Sequence, residues 1–282
     1  MPRIHKMAGR LPQVQQHACL PSHRRDPPQH HEHSIEVVPG RLSIAIHQDD
    51  DETRAVINAH QKRFYFSSWM QESYEPFNSD FGPVNLSAVI RFCKYVKDKM
   101  TDERLLKRHL VYYTDADPAH VTNTVFLLGA YLVLVEKRTA EQAAKALCET
   151  KPCPFIPFRD ATSVRSTFDL QLVDCLRGLQ RAVECGFFSF ENFNLEAYEQ
   201  LEDVQFADAH IICPKFVAFR GPSDKQDANT GCLPPSTYIP LFEYLHVSTV
   251  VRLNEAQYDK GVFEGAGMAH HDLYFDDCTS PS

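Results

Sequence analysis

The chain has 282 residues, 43% of them apolar and 23% charged, a balance that excludes a wholly disordered or collagenous polypeptide. Its length is that of one large or two modest domains. A formal charge of −8 argues against a general nucleic-acid binder, which needs a basic surface to displace counterions. There is no run of 18 or more apolar residues, so no membrane-spanning helix and no membrane partner is expected.

Residues 1–33 are rich in Pro, His, Gln and Arg, lack periodicity, and carry too little apolar surface to offset chain entropy; they are expected to form a disordered tail. Within them His30, His31, Glu32 and His33 are metal-ligating types. They are contiguous, with no second cluster to complete a coordination shell, so no metal and no cofactor is assigned. The start lacks the continuous apolar core of a secretory signal. The 9 cysteines are odd in number and irregularly spaced, which does not make a disulfide framework. Reduced thiols and an intracellular protein are the expectation.

Residues 34–47, SIEVVPGRLSIAIH, alternate around Pro-Gly and predict a short strand pair. HQDDDETR follows as a charged loop, and RFYFSSW is a strand candidate. After Gly82-Pro83, the residues Leu86, Val89, Ile90, Cys93 and Val96 share one face at helical spacing. HLVYYT, 109–114, reads as a buried strand, DADPAH as a turn, and 121–137 as a strongly apolar helix. Strand, tight loop and buried helix make a parallel α/β unit. TAEQAAKALCET predicts a helix with Thr139 at the N-cap and Gln142 at the capping-box position. Residues 167–186 form an amphipathic helix closed by Gly186, and 194–204 a further one. HIICPKFVAFRGP, HVSTVVRL and HHDLYF then read as strands.

The segments SDFGPVNLSAVIRFCKY, HLVYYTDADPAHVTNTVFLLGAYLVL, PFIPFRDATS, LVDCLRGLQRAVECGFFSFENFNLEAYEQLEDVQFADAHIICPKFVAFRGP and VVRLNEAQY resemble, collinearly, the cell division cycle fourteen dual-specificity protein phosphatases. The resemblance runs from about residue 34 to the last residue. It implies an α/β fold of two tandem dual-specificity-phosphatase-like domains, the first complete and degenerate, the second truncated before its phosphate loop. The boundaries so implied are a non-catalytic domain at 34–193, a linker helix at 194–209, and the start of a catalytic domain at 210–282. It also implies phosphoprotein substrates with Ser-Pro sites and a downstream basic residue, a role in mitotic exit, and a nuclear, nucleolar, centrosomal, spindle or cytoplasmic location.

The family's chemistry needs a thiolate at a helix N-terminus, cradled by backbone N–H groups, with an arginine binding the phosphate oxygens. Three Cys-x5-Arg stretches occur here: Cys19 to Arg25, Cys153 to Arg159 and Cys175 to Arg181. The first lies in the tail and contains Pro21. The second contains Pro154 and Pro157, which lack N–H groups for a cradle, and has no glycine. The third lies inside a predicted helix, where amides already bond carbonyls. The counterpart loop in the first domain, YYTDADPAHVTN, has neither Cys nor Arg, and Asp115 and Asp117 would repel phosphate. Asp277 matches the family's general acid, with Asp276 and Cys278 departing from the usual neighbours.

Glu199 and Glu202 stand three apart on a helix and share a face. With Asp208 they match the carboxylates that in the family line a groove for the substrate's basic residue. Arg159 beside Asp160 is expected to form an ion pair organising its loop. The expectation is a phosphatase portion that is inactive alone; the alternative is a catalytically dead module binding basic segments or partners.

Overall fold

The computed structural model describes residues 34–68, 74–148, 155–166, 168–224, 231–276 and 279–281. The tail with its histidine cluster, Cys153, Asp277 and Cys278 lie outside them.

The expected opening hairpin is present as β1 (Ser34–Val38) and β2 (Leu42–His47), antiparallel, turned by Gly40 at φ +67°. The charged stretch after it is a helix, not a loop: α1 (Asp50–Ala59). Asp49 caps it by accepting from the Glu52 amide, and Asp50, Asp51 and Glu52 in its first turn complement the helix dipole. β3 (Phe64–Phe66) and α2 (Leu86–Thr101) follow, α2 burying Val89, Ile90, Cys93 and Val96 as its spacing required.

β4 (Leu110–Asp115) enters between β2 and β3, parallel to both, giving the order β1-β2-β4-β3. Leu110, Val111 and Tyr112 are wholly buried, the continuous apolar pattern of a central parallel strand. α3 (Pro118–Leu134) has every residue from Val121 to Leu134 buried. Being apolar all round, it can only be an internal helix. It packs against α2, α4 (Ala140–Cys148) and α5 (Leu172–Glu184). At Gly129 an added Cβ would lie 2.9 Å from the Leu176 side chain, so this glycine sets the close approach of α3 and α5. The capping box at α4 is formed: Gln142 N–H donates to Thr139 Oγ1 (3.2 Å) and Thr139 N–H to Gln142 Oε1 (3.0 Å). α5 begins later than its pattern implied, because Leu170 bridges to Phe158 in extended form.

α6 (Leu195–Glu202) leads into a hairpin of β5 (Ala209–Cys213) and β6 (Phe216–Phe219). Pro214 and Lys215 thus break what reads as one strand. Then come α7 (Pro235–Tyr244), β7 (Thr249–Arg252), α8 (Gly261–Gly265) and β8 (Ala269–Asp272), with β7 and β8 parallel. Buried apolar residues form two clusters, one from Val37 to Phe190 centred on α3, the other from Ala207 to Met268. The second is built on aromatic rings, with Phe219 4.9 Å from Phe242 and 5.0 Å from Tyr238.

Candidate functional site

α6 starts where Asn194 accepts from the Ala197 amide (3.1 Å), and ends at Asp203, whose N–H bonds the Glu199 carbonyl. Its two inner carboxylates meet the first turns of α2. Glu199 accepts from Arg91 through both oxygens, Nε to Oε1 at 2.8 Å and Nη2 to Oε2 at 2.6 Å. Ser87 Oγ donates to the same carboxylate. Glu202 takes the Asn85 amide on both oxygens, at 2.8 and 2.9 Å. Asn85 is also the N-cap of α2, accepting from the Ala88 amide. Two anions therefore sit over the positive end of a helix, a favourable placement. The Arg91 guanidinium, followed by the Ser87 hydroxyl, holds Glu199 below the usual carboxylate range.

Asp208 is engaged separately. Its φ of +43° is left-handed, a conformation that Asp tolerates better than most residues. Its carbonyl accepts from the Arg220 amide (3.0 Å) and its carboxylate pairs with Arg220 Nη1 (3.3 Å). The spacing of Glu199 and Glu202 on one face is thus realised, while Asp208 answers to a different partner. Two of the three carboxylates carry a guanidinium; Glu202 meets a neutral amide. Sequence reasoning missed Arg91, which is 108 residues from Glu199. The one available signal was the Asn85 cap, which fixes where the first turn of α2 stands.

The turn from β4 to α3 lies at the carboxyl end of a central parallel strand, where α/β sheets place ligands. Here carboxylates occupy its donors. Asp117 accepts from the amides of Ala119 (2.9 Å) and His120 (3.1 Å). Asp115 accepts from the Asp117 amide (3.0 Å) and contacts His120 Nδ1 (2.9 Å). Those amides cannot also cradle a phosphate. Beside the turn is a cavity of about 270 Å³ lined by His47, Asp49, Thr53, Ser67 and Asp115.

Of the Cys-x5-Arg stretches, Cys175 to Arg181 lies wholly within α5, and burial pushes the Cys175 thiol up to about 11. A thiol so raised is not a thiolate at neutral pH. Arg159 organises its loop differently from expectation. Its guanidinium donates to the carbonyls of Thr162 (2.7 Å), Val164 (3.0 Å) and Asp160 (3.4 Å), while the Asp160 carboxylate takes the hydroxyl and amide of Thr162. Carbonyls compete for a guanidinium wherever a loop curls around it. Next to the undescribed Asp277, Asp276 accepts from Tyr274 Oη at 2.7 Å.

Residues 36–182, just over half the chain, match the family described as dual specificity protein phosphatase, N-terminal half. That match and the mixed α/β sheet define the class. Over 232 residues the chain is 40% identical to the dual specificity protein phosphatase CDC14A of Mus musculus, a span covering 81% of this chain and 38% of that relative. The Homo sapiens CDC14A is 39% identical over 232 residues, with the same coverage of 81% and 38%. The tyrosine-protein phosphatase CDC14 of Saccharomyces cerevisiae is 34% identical over 217 residues, 74% of this chain and 39% of the yeast protein. The chain belongs to the CDC14 family. It spans about two-fifths of the length of these curated relatives.

Proposed function

We propose that the chain is the amino-terminal portion of a dual-specificity protein phosphatase acting on proline-directed phosphoserine, phosphothreonine and phosphotyrosine of cell-cycle proteins. In this reading residues 34–193 are a non-catalytic phosphatase-like domain, 194–209 a linker, and 210–282 the opening of a catalytic domain. Asp115 and Asp117, which consume the amides at the start of α3, support the silence of the first domain. Asp277 takes the role of general acid by its place in the sequence. The chain's own contribution is recognition: Glu199, Glu202 and Asp208 attract the Lys or Arg that follows the Ser-Pro site.

The observation that carries this reading is the pairing of Glu199 and Glu202 over the first turn of α2, with Arg91 already bound to one of them. A guanidinium seated there is a chemical rehearsal of a basic substrate residue. A substrate cation then either displaces Arg91 or settles on Glu202. The raised thiol of Cys175 inside α5 supports the accompanying view that this chain binds and does not cleave.

The test uses fluorescein-labelled phosphoserine-proline peptides differing only in a downstream lysine or norleucine, with anisotropy as readout. The lysine peptide binds about fivefold tighter, the equivalent of roughly 1 kcal/mol for one partly exposed charge pair. Glu202→Gln removes the preference, and Arg91→Met enlarges it. Equal binding of the two peptides by the unaltered chain discards the groove.

A further inference from the structure

At the amino ends of its parallel strands the first half collects cations. Arg41 precedes β2, Lys62 and Arg63 precede β3, and Lys107 and Arg108 lie just before β4. Leu42 and Phe64 both stand opposite Leu110, so the three strand entries share one edge of the sheet. Arg108 ties them together: its guanidinium donates to the carbonyls of Gln61, Lys62 (3.4 Å) and Arg63 (3.1 Å). Arg41 donates to the carbonyls of Arg108 and Met100, the latter at 3.0 Å. Lys99, in the last turn of α2, completes the group, its ammonium 5.9 Å from the Phe64 ring and 5.2 Å from that of Tyr95.

Carbonyls satisfy guanidinium donors without cancelling their charge. Residues 60–63 and 104–109 contain no carboxylate. Of the acids beside them in sequence, Asp102 pairs with Arg104 at 2.6 Å, and Asp98 and Glu103 point to solvent. Lys62 and Lys107 are exposed, and neither has an ion pair among the described residues. Leu106, next to Lys107, is 54% exposed. Complementing the carboxyl end of α2 accounts for Arg41, on the Met100 carbonyl, and for Lys99; it leaves Lys62 and Lys107 unassigned. In a chain of formal charge −8, this concentration runs against the average.

We infer that this surface docks an acidic peptide segment of a partner protein, with Lys62 and Lys107 on its carboxylates and Leu106 against an apolar side chain among them. Arg41 and Arg108, held by carbonyls, add to the attracting field. A nucleic-acid duplex or an anionic bilayer fits less well, because its continuous charge also meets the excess of negative groups on the rest of the chain. The surface lies at the last turn of α2, and Glu199 and Glu202 lie over the first, roughly 20 Å away along the helix. The two share no residue, so the basic surface stands whether or not the acidic pair binds substrate.

A fluorescein-labelled peptide of glutamates around a central leucine is the probe, with its glutamine counterpart as reference. Each is titrated with the full chain and followed by anisotropy. The glutamate peptide binds about tenfold tighter at low salt, and the preference shrinks as salt is added. The double variant Lys62→Gln/Lys107→Gln loses most of the preference, while Lys215→Gln, an exposed lysine between β5 and β6, keeps it. Equal binding of the two peptides, or the same loss in Lys215→Gln as in the double variant, overturns the proposal. Tighter binding of duplex DNA or of phosphatidylserine vesicles than of the glutamate peptide overturns it too, because the surface then serves a polyanion and not a peptide.

Discussion

Around α3 the first half of the molecule is closed on every side. The four-stranded sheet covers one face and α2, α4 and α5 the others, leaving fourteen consecutive residues of α3 buried. The second half has aromatic rings of similar quality, with Phe242 5.8 Å from Phe263, but gathers them under two short, separate sheets. Of its strands only β7 alternates buried with exposed residues; β5 and β6 bury Ala209 alone, and Ile211, Ile212 and Phe216 stand half or more exposed. The contrast isolates what a central parallel strand contributes. It supplies ladder partners to two neighbours at once, and it gives a buried helix a surface to lie on.

The largest expected consequence is in local opening. Amides of β4 and α3 exchange through global unfolding, those of residues 209–219 through local opening. The difference in protection is on the order of a thousandfold, the equivalent of about 4 kcal/mol. Hydrogen exchange with mass-spectrometric readout checks it, and equal protection of the two segments removes the contrast.

Core substitutions sharpen the same comparison. Leu128 of α3 is wholly buried, and Leu128→Ala lowers the unfolding free energy by about 2–5 kcal/mol through lost contacts and the cavity left behind. Phe242, 1% exposed, is the corresponding anchor in the second half. Phe242→Ala costs about 3–5 kcal/mol there and leaves α3 protected in exchange. Loss of α3 protection in that variant makes the two clusters one cooperative unit.

The same physics decides what could be read from residues alone. α2, α3 and α4 were legible because their apolar spacing or caps are unambiguous, Thr139 and Gln142 forming the box their identities imply. α1 was not, because Val56 is the one buried residue among ten, and the acidic run that complements its dipole looks like a loop. α7 escaped notice because it carries Pro235 at its start and Pro240 inside, residues that ordinarily mark breaks. Leaving α7 out also hid the packing of Tyr238 and Phe242 on Phe219. At the candidate site, the shared face of Glu199 and Glu202 follows from helical spacing. That Glu199 meets Arg91 and Asp208 meets Arg220 depends on how α6 lies against α2 and how β6 returns to the turn before β5. No local pattern encodes either.

The contact of α6 with α2 joins the two halves, and it is where the smallest effect is expected. The side chains of Arg91 and Glu199 are 47% and 35% exposed, so solvent screens most of their attraction despite the bidentate geometry. A double-mutant cycle of Arg91→Met and Glu199→Gln yields a coupling of about 1 kcal/mol, smaller at high salt. Its pH dependence has a definite sign. Glu199 is held below the usual carboxylate range in the folded chain, so the unfolded chain binds its proton first as pH falls. The contribution is therefore complete above the ordinary carboxylate pKa of about 4.3 and declines as pH falls through the lower, folded value. Thermal unfolding of the four variants at neutral and acid pH measures it. A coupling near zero at neutral pH leaves the hold on Glu199 to Ser87, and Arg91 then has no part in it.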